Sequence, residues 1–112
     1  MKLNTDIHIF KDNKNKMTKI KQTQNKTYAQ QTKEILFFYM NLPVEDLANL
    51  IINRYKLNEL FEKSTITIRT SFIKEELIHL HKVYKALLTK LPDLKFSQLL
   101  LYLFEDYFKR HT

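Results

Sequence analysis

The sequence predicts a mainly α-helical fold in which one strand and two helices form a C-terminal module, residues 64–112. One segment, 64–70, alternates β-branched and polar residues with the period of a half-buried strand. Two helical patterns follow this strand, and a helical extension over 31–62 precedes it. Residues 1–30 are rich in Lys, Asn, Thr and Gln and lack helical periodicity, so we expect a disordered basic tail there.

The N-terminal half gives weaker signals. Residues 5–10 could pair as a short strand if they met a sheet edge, but we expect them to be unstructured. Residues 35–40 are apolar, and their periodicity does not decide between helix and strand. Pro43 suits the first turn of a helix, and Glu45 and Asp46 suit its N-terminal dipole. We therefore expect a helix from about residue 43 to residue 61.

The strand at 64–70 needs a partner, because a lone strand leaves its backbone hydrogen bonds unsatisfied. The simplest partner is the same strand in a second copy of the chain, related by a two-fold axis. The alternative is an edge strand that pairs with residues 35–40 within one chain.

Two helices complete the module. Ser71 is a suitable N-cap for the first helix, which we expect to run from about residue 72 and to stop before Pro92. Its apolar residues recur every three or four positions, as on a face that packs against a core. Ser97 is the expected N-cap of the second helix. That helix is apolar on nearly all sides, so we expect a partner chain to bury it.

Composition limits the function. The chain has no Cys and no Gly, which disfavours disulfides, thiolate metal sites and glycine-rich nucleotide loops. His79 and His81 face different sides of a helix and make a poor metal pair. We predict no catalytic site, no metal and no cofactor. No apolar run approaches the roughly 20 residues of a membrane helix, and a cytoplasmic location is expected.

The positive charge is uneven. The formal net charge is +7, and residues 1–33 carry eight lysines against Asp6 and Asp12. Such a basic segment is typical of non-specific contact with nucleic acid, where each neutralised phosphate releases counterions. Two alternatives stay open: a solvated tail without a ligand, and a tail that binds a protein partner.

Two local patterns in residues 64–112 resemble the ribbon-helix-helix family, which includes the Arc, methionine repressor and CopG-type regulators. One is Thr65-Ile66-Thr67-Ile68-Arg69, a polar-apolar-polar-apolar-basic strand. The other is the helix that opens at Ser97, with apolar residues three, six, seven and eleven positions later. The resemblance implies an intertwined homodimer, able to assemble further on repeated sites, whose antiparallel ribbon enters the major groove of double-stranded DNA.

The resemblance also implies roles for individual residues. The expected base-contacting residues are Thr65, Thr67 and Arg69, because Arg pairs with guanine and Thr with base edges or the thymine methyl. The expected phosphate-contacting residues are Lys63, Lys74, Lys95, Ser97 and Gln98. The expected dimer core consists of Ile66, Ile68, Leu77, Leu80, Tyr84, Leu100, Leu103, Phe104 and Phe108. The first helix is longer than is usual in the family and stops at Pro92 rather than at Gly or Asn.

The function implied is sequence-specific DNA binding, as a transcriptional repressor or in plasmid or phage maintenance such as partition or copy control. A relaxosome accessory protein shares this fold and differs in genetic context. The alternative from another class is a helical protein–protein interaction module that does not bind DNA.

Overall fold

The computed structural model describes residues 2–54 and 64–111 of the chain. A strand opens the chain and a second strand follows its first three helices, with two more helices at the end. The elements are β1 (Lys2–Phe10), α1 (Lys11–Gln24), α2 (Tyr28–Met40), α3 (Val44–Arg54), β2 (Thr65–Ile73), α4 (Lys74–Leu88) and α5 (Phe96–Arg110).

The predicted fold class is wrong, because the strand β2 finds its partner within the chain. β1 and β2 form a two-stranded antiparallel sheet, here called the ribbon, whose register runs from Lys2 opposite Ile73 to Phe10 opposite Thr65. Both the self-pairing of β2 in a homodimer and its pairing with residues 35–40 are therefore excluded for this structure. An intertwined dimer was predicted because β2 would otherwise leave its backbone hydrogen bonds unsatisfied. β1 now provides these bonds, so that argument for a dimer no longer holds.

Alternation explains why residues 2–10 form a strand. Ile7 and Ile9 are buried on one face, while Asn4, Asp6 and His8 are exposed on the other. This is the two-residue period of a half-buried strand. The segment was expected to be unstructured because it is short and no sheet edge had been recognised for it, and β2 supplies that edge.

The chain contains the same arrangement twice: a strand runs directly into one helix, and a second helix follows. The first unit is β1, α1 and α2, and the second unit is β2, α4 and α5. The last helix of each unit packs against the strand of the other, α5 against β1 and α2 against β2. The two units therefore share one core and are intertwined within a single chain.

The residues predicted to form a dimer core lie in this intrachain core. Ile68, Leu80, Leu100, Leu103, Phe104 and Phe108 are buried, and Ile66, Leu77 and Tyr84 are partly buried against them. Their burial comes from contacts within one chain rather than from a second copy. The core also includes residues of the first unit, namely Ile7, Ile9, Met17, Ile35, Leu36 and Tyr39.

The expected disordered tail is also wrong. Helix α1 contains no Gly or Pro, and its buried residues are Asn13 and Met17. The Asn13 Nδ2 donates a hydrogen bond to Glu105 Oε2 of α5 at 3.3 Å. Because one inward position is polar, the helix lacks the apolar periodicity that reveals an amphipathic helix, although it packs as one.

Several helix boundaries differ from the predictions. Ser71 lies within β2 and is not an N-cap, since α4 begins at Lys74. Ser97 is not an N-cap either, because α5 begins one residue earlier and its N-cap is Lys95. The predicted helix over 43–61 is found as Val44–Arg54, and the remainder of that prediction lies outside the described residues.

Among the described residues, no single helix is long and apolar enough to cross a membrane. Helices α2 and α3 reach that length and composition only as a pair, and they are bent by 105° relative to each other.

Candidate nucleic-acid interface

One face of the ribbon is polar and exposed. Because residues opposite each other in an antiparallel pair share a face, the alternation on β1 and β2 separates the ribbon into an inner and an outer side. The inner side packs against the helices. The outer face, as the term is used below, consists of Asn4, Asp6, His8, Thr65, Thr67, Arg69 and Ser71, of which Ser71 is half-buried and the others are exposed. Two apolar residues limit it at its ends: Ile73, which is 37% exposed, and Phe10, which lies opposite Thr65 but is buried.

The three predicted base-contacting residues all lie on this outer face. Thr65, Thr67 and Arg69 are exposed, and Ile66 and Ile68 between them point to the inner side. Their contact with DNA stays a prediction. The sequence did not indicate that β1 adds three further polar residues beside them.

The centre of the outer face is an ion pair between the two strands. Asp6 and Arg69 are each the fifth of nine residues in their strands, and they lie opposite each other. The Arg69 Nε donates to Asp6 Oδ1 at 3.2 Å, and the two side chains are 74% and 54% exposed. An ion pair this exposed contributes at most about 1 kcal/mol to stability. Its contribution to the stability of the fold is therefore small.

A second pair lies beside this centre. The Thr67 Oγ1 and His8 Nδ1 are 3.1 Å apart, and both side chains are exposed. The hydroxyl and the imidazole can each donate or accept a hydrogen bond. The outer face therefore offers both donors and acceptors along its length.

The predicted phosphate-contacting residues are spread over two helices. Lys74 is the first residue of α4, directly after β2, and is exposed. Lys95 and Ser97 are exposed at the start of α5. The Gln98 Oε1 accepts the Lys95 backbone N–H at 3.0 Å, so this side chain stabilises the helix end. Lys63 lies outside the described residues.

Lys11 is a candidate site residue that the sequence analysis did not single out. It is the first residue of α1, directly after β1, as Lys74 is the first residue of α4 after β2. Because the strands are antiparallel, these two exposed lysines mark opposite ends of the ribbon. A cation in the first turn of a helix interacts unfavourably with the helix dipole, so neither lysine stabilises its helix through this interaction. The signal that could have found Lys11 is the alternation of residues 5–10.

Helix α1 is the most basic element. Five lysines accompany the single Asp12 along it, and Lys11, Lys16, Lys19 and Lys21 are exposed while Lys14 is half-buried. Within the described ranges 2–54 and 64–111, none of the five forms an ion pair with a carboxylate. The corresponding helix of the second unit, α4, has three lysines and two glutamates.

A groove away from the ribbon is the other surface feature. It lies between α2 and α4, has a volume of about 570 Å³, and is lined by Leu36, Met40, Phe72 and Leu80 with charged residues at its rim. Phe37 beside it is 73% exposed. Lys33 pairs with Glu76 at 3.8 Å across this rim.

Comparisons with known proteins give no relative for this chain: no family model, no curated protein and no solved structure matches it.

Proposed function

We propose that this protein binds double-stranded DNA by placing the outer face of the ribbon in the major groove. The observation that carries the proposal is a two-stranded ribbon that is packed on one side and polar and exposed on the other. The major groove of B-DNA is about 12 Å wide and admits a two-stranded ribbon. Nine residues per strand give a ribbon about 30 Å long, close to one turn of the double helix.

The side chains of the outer face suit base edges. Arg69 can donate two hydrogen bonds to guanine, and Asn4 can make a bidentate pair with adenine. Thr65 and Thr67 offer hydroxyl groups to base edges and methyl groups to thymine. Because these residues stand on a strand that is fixed by its core, their positions relative to one another are set before DNA arrives. Such preorganisation lowers the entropic cost of binding.

Lysine supplies the part of the binding that does not depend on sequence. The net charge of +7 and the lysines of α1 attract the phosphate backbone. Lys11 and Lys74, at the two ends of the ribbon, stand where a groove-bound ribbon would meet the flanking phosphates. The roles consistent with this activity are transcriptional repression and plasmid or phage maintenance, in the cytoplasm.

The proposal is tested by binding of fluorescent duplexes, first random and then selected from a random library, at two salt concentrations. We expect binding that weakens steeply with salt. The Lys11→Gln, Lys74→Gln double variant should lower the slope of log K against log [salt] by about 1.8, since each lost phosphate contact contributes about 0.9. No binding at low salt would contradict the proposal.

The matched control removes the same charge at the other end of α4. Lys85 is exposed in the last turn of this 15-residue helix, roughly 16 Å along its axis from Lys74. Lys90 is exposed just beyond the helix and pairs with Glu45 at 3.6 Å. The Lys85→Gln, Lys90→Gln double variant should leave the salt slope nearly unchanged. Equal changes in both double variants would mean that net charge alone, and not the ribbon, attracts DNA.

Arg69 tests whether the ribbon recognises sequence. Arg69→Ala should cost about 1–3 kcal/mol of binding free energy on the selected duplex and little on random duplex. An equal loss on both would assign Arg69 to phosphate contact only and would exclude it from base recognition.

A second candidate is the protein-interaction module, which the exposed Phe37 and the groove between α2 and α4 favour. The groove is lined by Lys33 and by the carboxylates Glu34, Glu75 and Glu76, so its charge is net negative and would suit a basic partner. This candidate ranks below DNA binding because the net charge of the chain, +7, favours an acidic partner. Phe37→Ser should leave DNA binding unchanged if the ribbon is the functional surface.

A further inference from the structure

We propose that the centre of the ribbon recognises a G·C base pair in one orientation, with Arg69 on the guanine and Asp6 on the cytosine, within a DNA site that lacks two-fold symmetry. This inference rests on the proposed function and specifies the site that the ribbon would bind. It follows from the ion pair at the middle of the outer face.

The ribbon has two-fold symmetry in its backbone but not in its side chains. Its approximate axis passes between Asp6 and Arg69, because each is the central residue of its strand and they pair with each other. In a homodimer, the residues at such an axis would be identical, and two like charges there would repel. Here the axis relates an acid to a base.

The other outward positions are also unlike. The approximate two-fold axis relates each residue of β1 to the residue at the same position in β2. Asn4 therefore corresponds to Thr67, and His8 corresponds to Ser71. The two halves of the outer face therefore present different hydrogen-bonding groups to DNA. A palindromic site would present the same base edges to both halves, so only an asymmetric site can be complementary to both.

The atoms at the centre match one base pair. The ion pair uses Arg69 Nε and Asp6 Oδ1. Among residues 2–54 and 64–111, no other hydrogen bond occupies the two Nη groups of Arg69 or the Oδ2 of Asp6. The two Nη groups of Arg69 are therefore two donors beside one acceptor, the Oδ2 of Asp6. A G·C pair presents the complementary groups: guanine O6 and N7 are two acceptors, and the cytosine N4 amino group beside them is a donor.

Orientation follows from the same match. Inverting the base pair to C·G places the cytosine amino group near the guanidinium and the guanine acceptors near the carboxylate. Donor then faces donor and acceptor faces acceptor, so the inverted pair is rejected. Each well-placed base contact discriminates by about 1–3 kcal/mol, which corresponds to roughly 5- to 150-fold in affinity.

The test is an exchange of the two central residues. The Asp6→Arg, Arg69→Asp double variant keeps opposite charges facing each other and moves each charge across the axis. Wild type and variant are titrated with two duplexes that differ only by inversion of the central base pair of the selected site. We expect wild type to prefer one orientation by about 5- to 150-fold and the exchanged variant to prefer the other.

A second variant keeps the inference falsifiable if the exchange impairs folding, which a thermal melt would show. Asp6→Asn removes the charge but retains a side-chain oxygen, and it should reduce the preference for orientation while leaving the overall fold intact. In both variants, the remaining outward residues hold the orientation of the protein on the rest of the site.

The outcomes separate the two proposals. Absence of binding to any duplex at low salt would overturn the proposed function itself. Binding to random duplex from which no sequence can be selected would overturn this inference. Binding to a selected duplex with equal affinity for both orientations, an unchanged preference in the exchanged variant, or a palindromic selected site would overturn this inference and leave DNA binding standing.

Discussion

The two strand-helix-helix units of this protein share a geometry but differ in composition. In α5 the inward positions near the helix start are Leu99 and Leu100, and in α2 the corresponding positions are Gln31 and Thr32. All four are buried. The first unit adopts the same strand-helix-helix arrangement as the second although it lacks the apolar pattern of the second. The packing of the whole chain, and not the local pattern alone, therefore determines this arrangement.

Hydrogen bonds make the polar interior of the first unit possible. The Gln31 Nε2 donates to the carbonyl oxygens of Met17 at 3.0 Å and Lys26 at 3.1 Å, which ties α2 to α1. Its Oε1 is buried without a hydrogen-bond partner among the described residues. The Thr32 Oγ1 donates to the Tyr28 carbonyl at 2.7 Å within α2. Buried polar groups are tolerated when they are bonded in this way.

The largest effect should come from the shared core. Ile35 of α2 and Leu103 of α5 occupy corresponding positions, and both are buried. Because one core includes both, Ile35→Ala and Leu103→Ala should each lower the free energy of unfolding by about 2–5 kcal/mol. Urea unfolding followed by circular dichroism measures this. A cost below about 1 kcal/mol for Ile35→Ala alone would mean that the first unit is not part of a common core.

A smaller effect should come from the buried hydrogen bond between units. The Tyr39 hydroxyl of α2 donates to Asp106 Oδ2 of α5 at 2.5 Å, and both side chains are fully buried. Tyr39→Phe removes a hydrogen bond to a carboxylate and should cost about 1.5–3 kcal/mol of unfolding free energy.

Its matched control is Tyr28→Phe. The Tyr28 hydroxyl lies 2.8 Å from Thr18 Oγ1 within the first unit and is only partly buried. We expect this control to cost about 0.5–1.5 kcal/mol in the same urea experiment. If the two tyrosine variants lose equal stability, the bond between units does not contribute more than the bond within one.

The smallest effect should come from the centre of the ribbon. Asp6→Arg places two arginines opposite each other, as a homodimer of β2 would. Like charges directly opposite destabilise a strand pair by about 0.2–1 kcal/mol, and this exposed position should show the lower part of that range. Thermal unfolding at low and high salt measures it, since salt screens the repulsion. A larger loss that does not respond to salt would point to a packing role for Asp6.

The difference between the units also explains what the sequence could predict. Strand alternation at Thr65, Thr67 and Arg69 was recognisable because Ile66 and Ile68 separate these residues. That alternation also put these side chains on the exposed side of the strand. The helix after β2 carried an apolar stripe and was recognised for the same reason.

The first unit could not be predicted in the same way. Hydrophobic periodicity does not register Asn13, Gln31 or Thr32 as interior residues, since these buried side chains are polar. Asn13 and Gln31 bond to partners on other helices, which the local pattern does not show. The strand β1 was visible as a segment, but its partner lies more than 50 residues away. Without that partner, β2 was predicted to pair with the same strand of a second copy of the chain.

The central claim is that one chain supplies both strands of the ribbon, and a designed disulfide tests it most directly. Asn4 and Ser71 lie opposite each other on the outer face, and the chain has no cysteine of its own. Paired positions in an antiparallel sheet have Cα atoms about 4.5–5.5 Å apart, within the range a disulfide spans. The Asn4→Cys, Ser71→Cys double variant should therefore form an intrachain disulfide on oxidation and remain at monomer mass on a non-reducing denaturing gel. Disulfide-linked dimers as the main product, or two free thiols after oxidation, would contradict the claim.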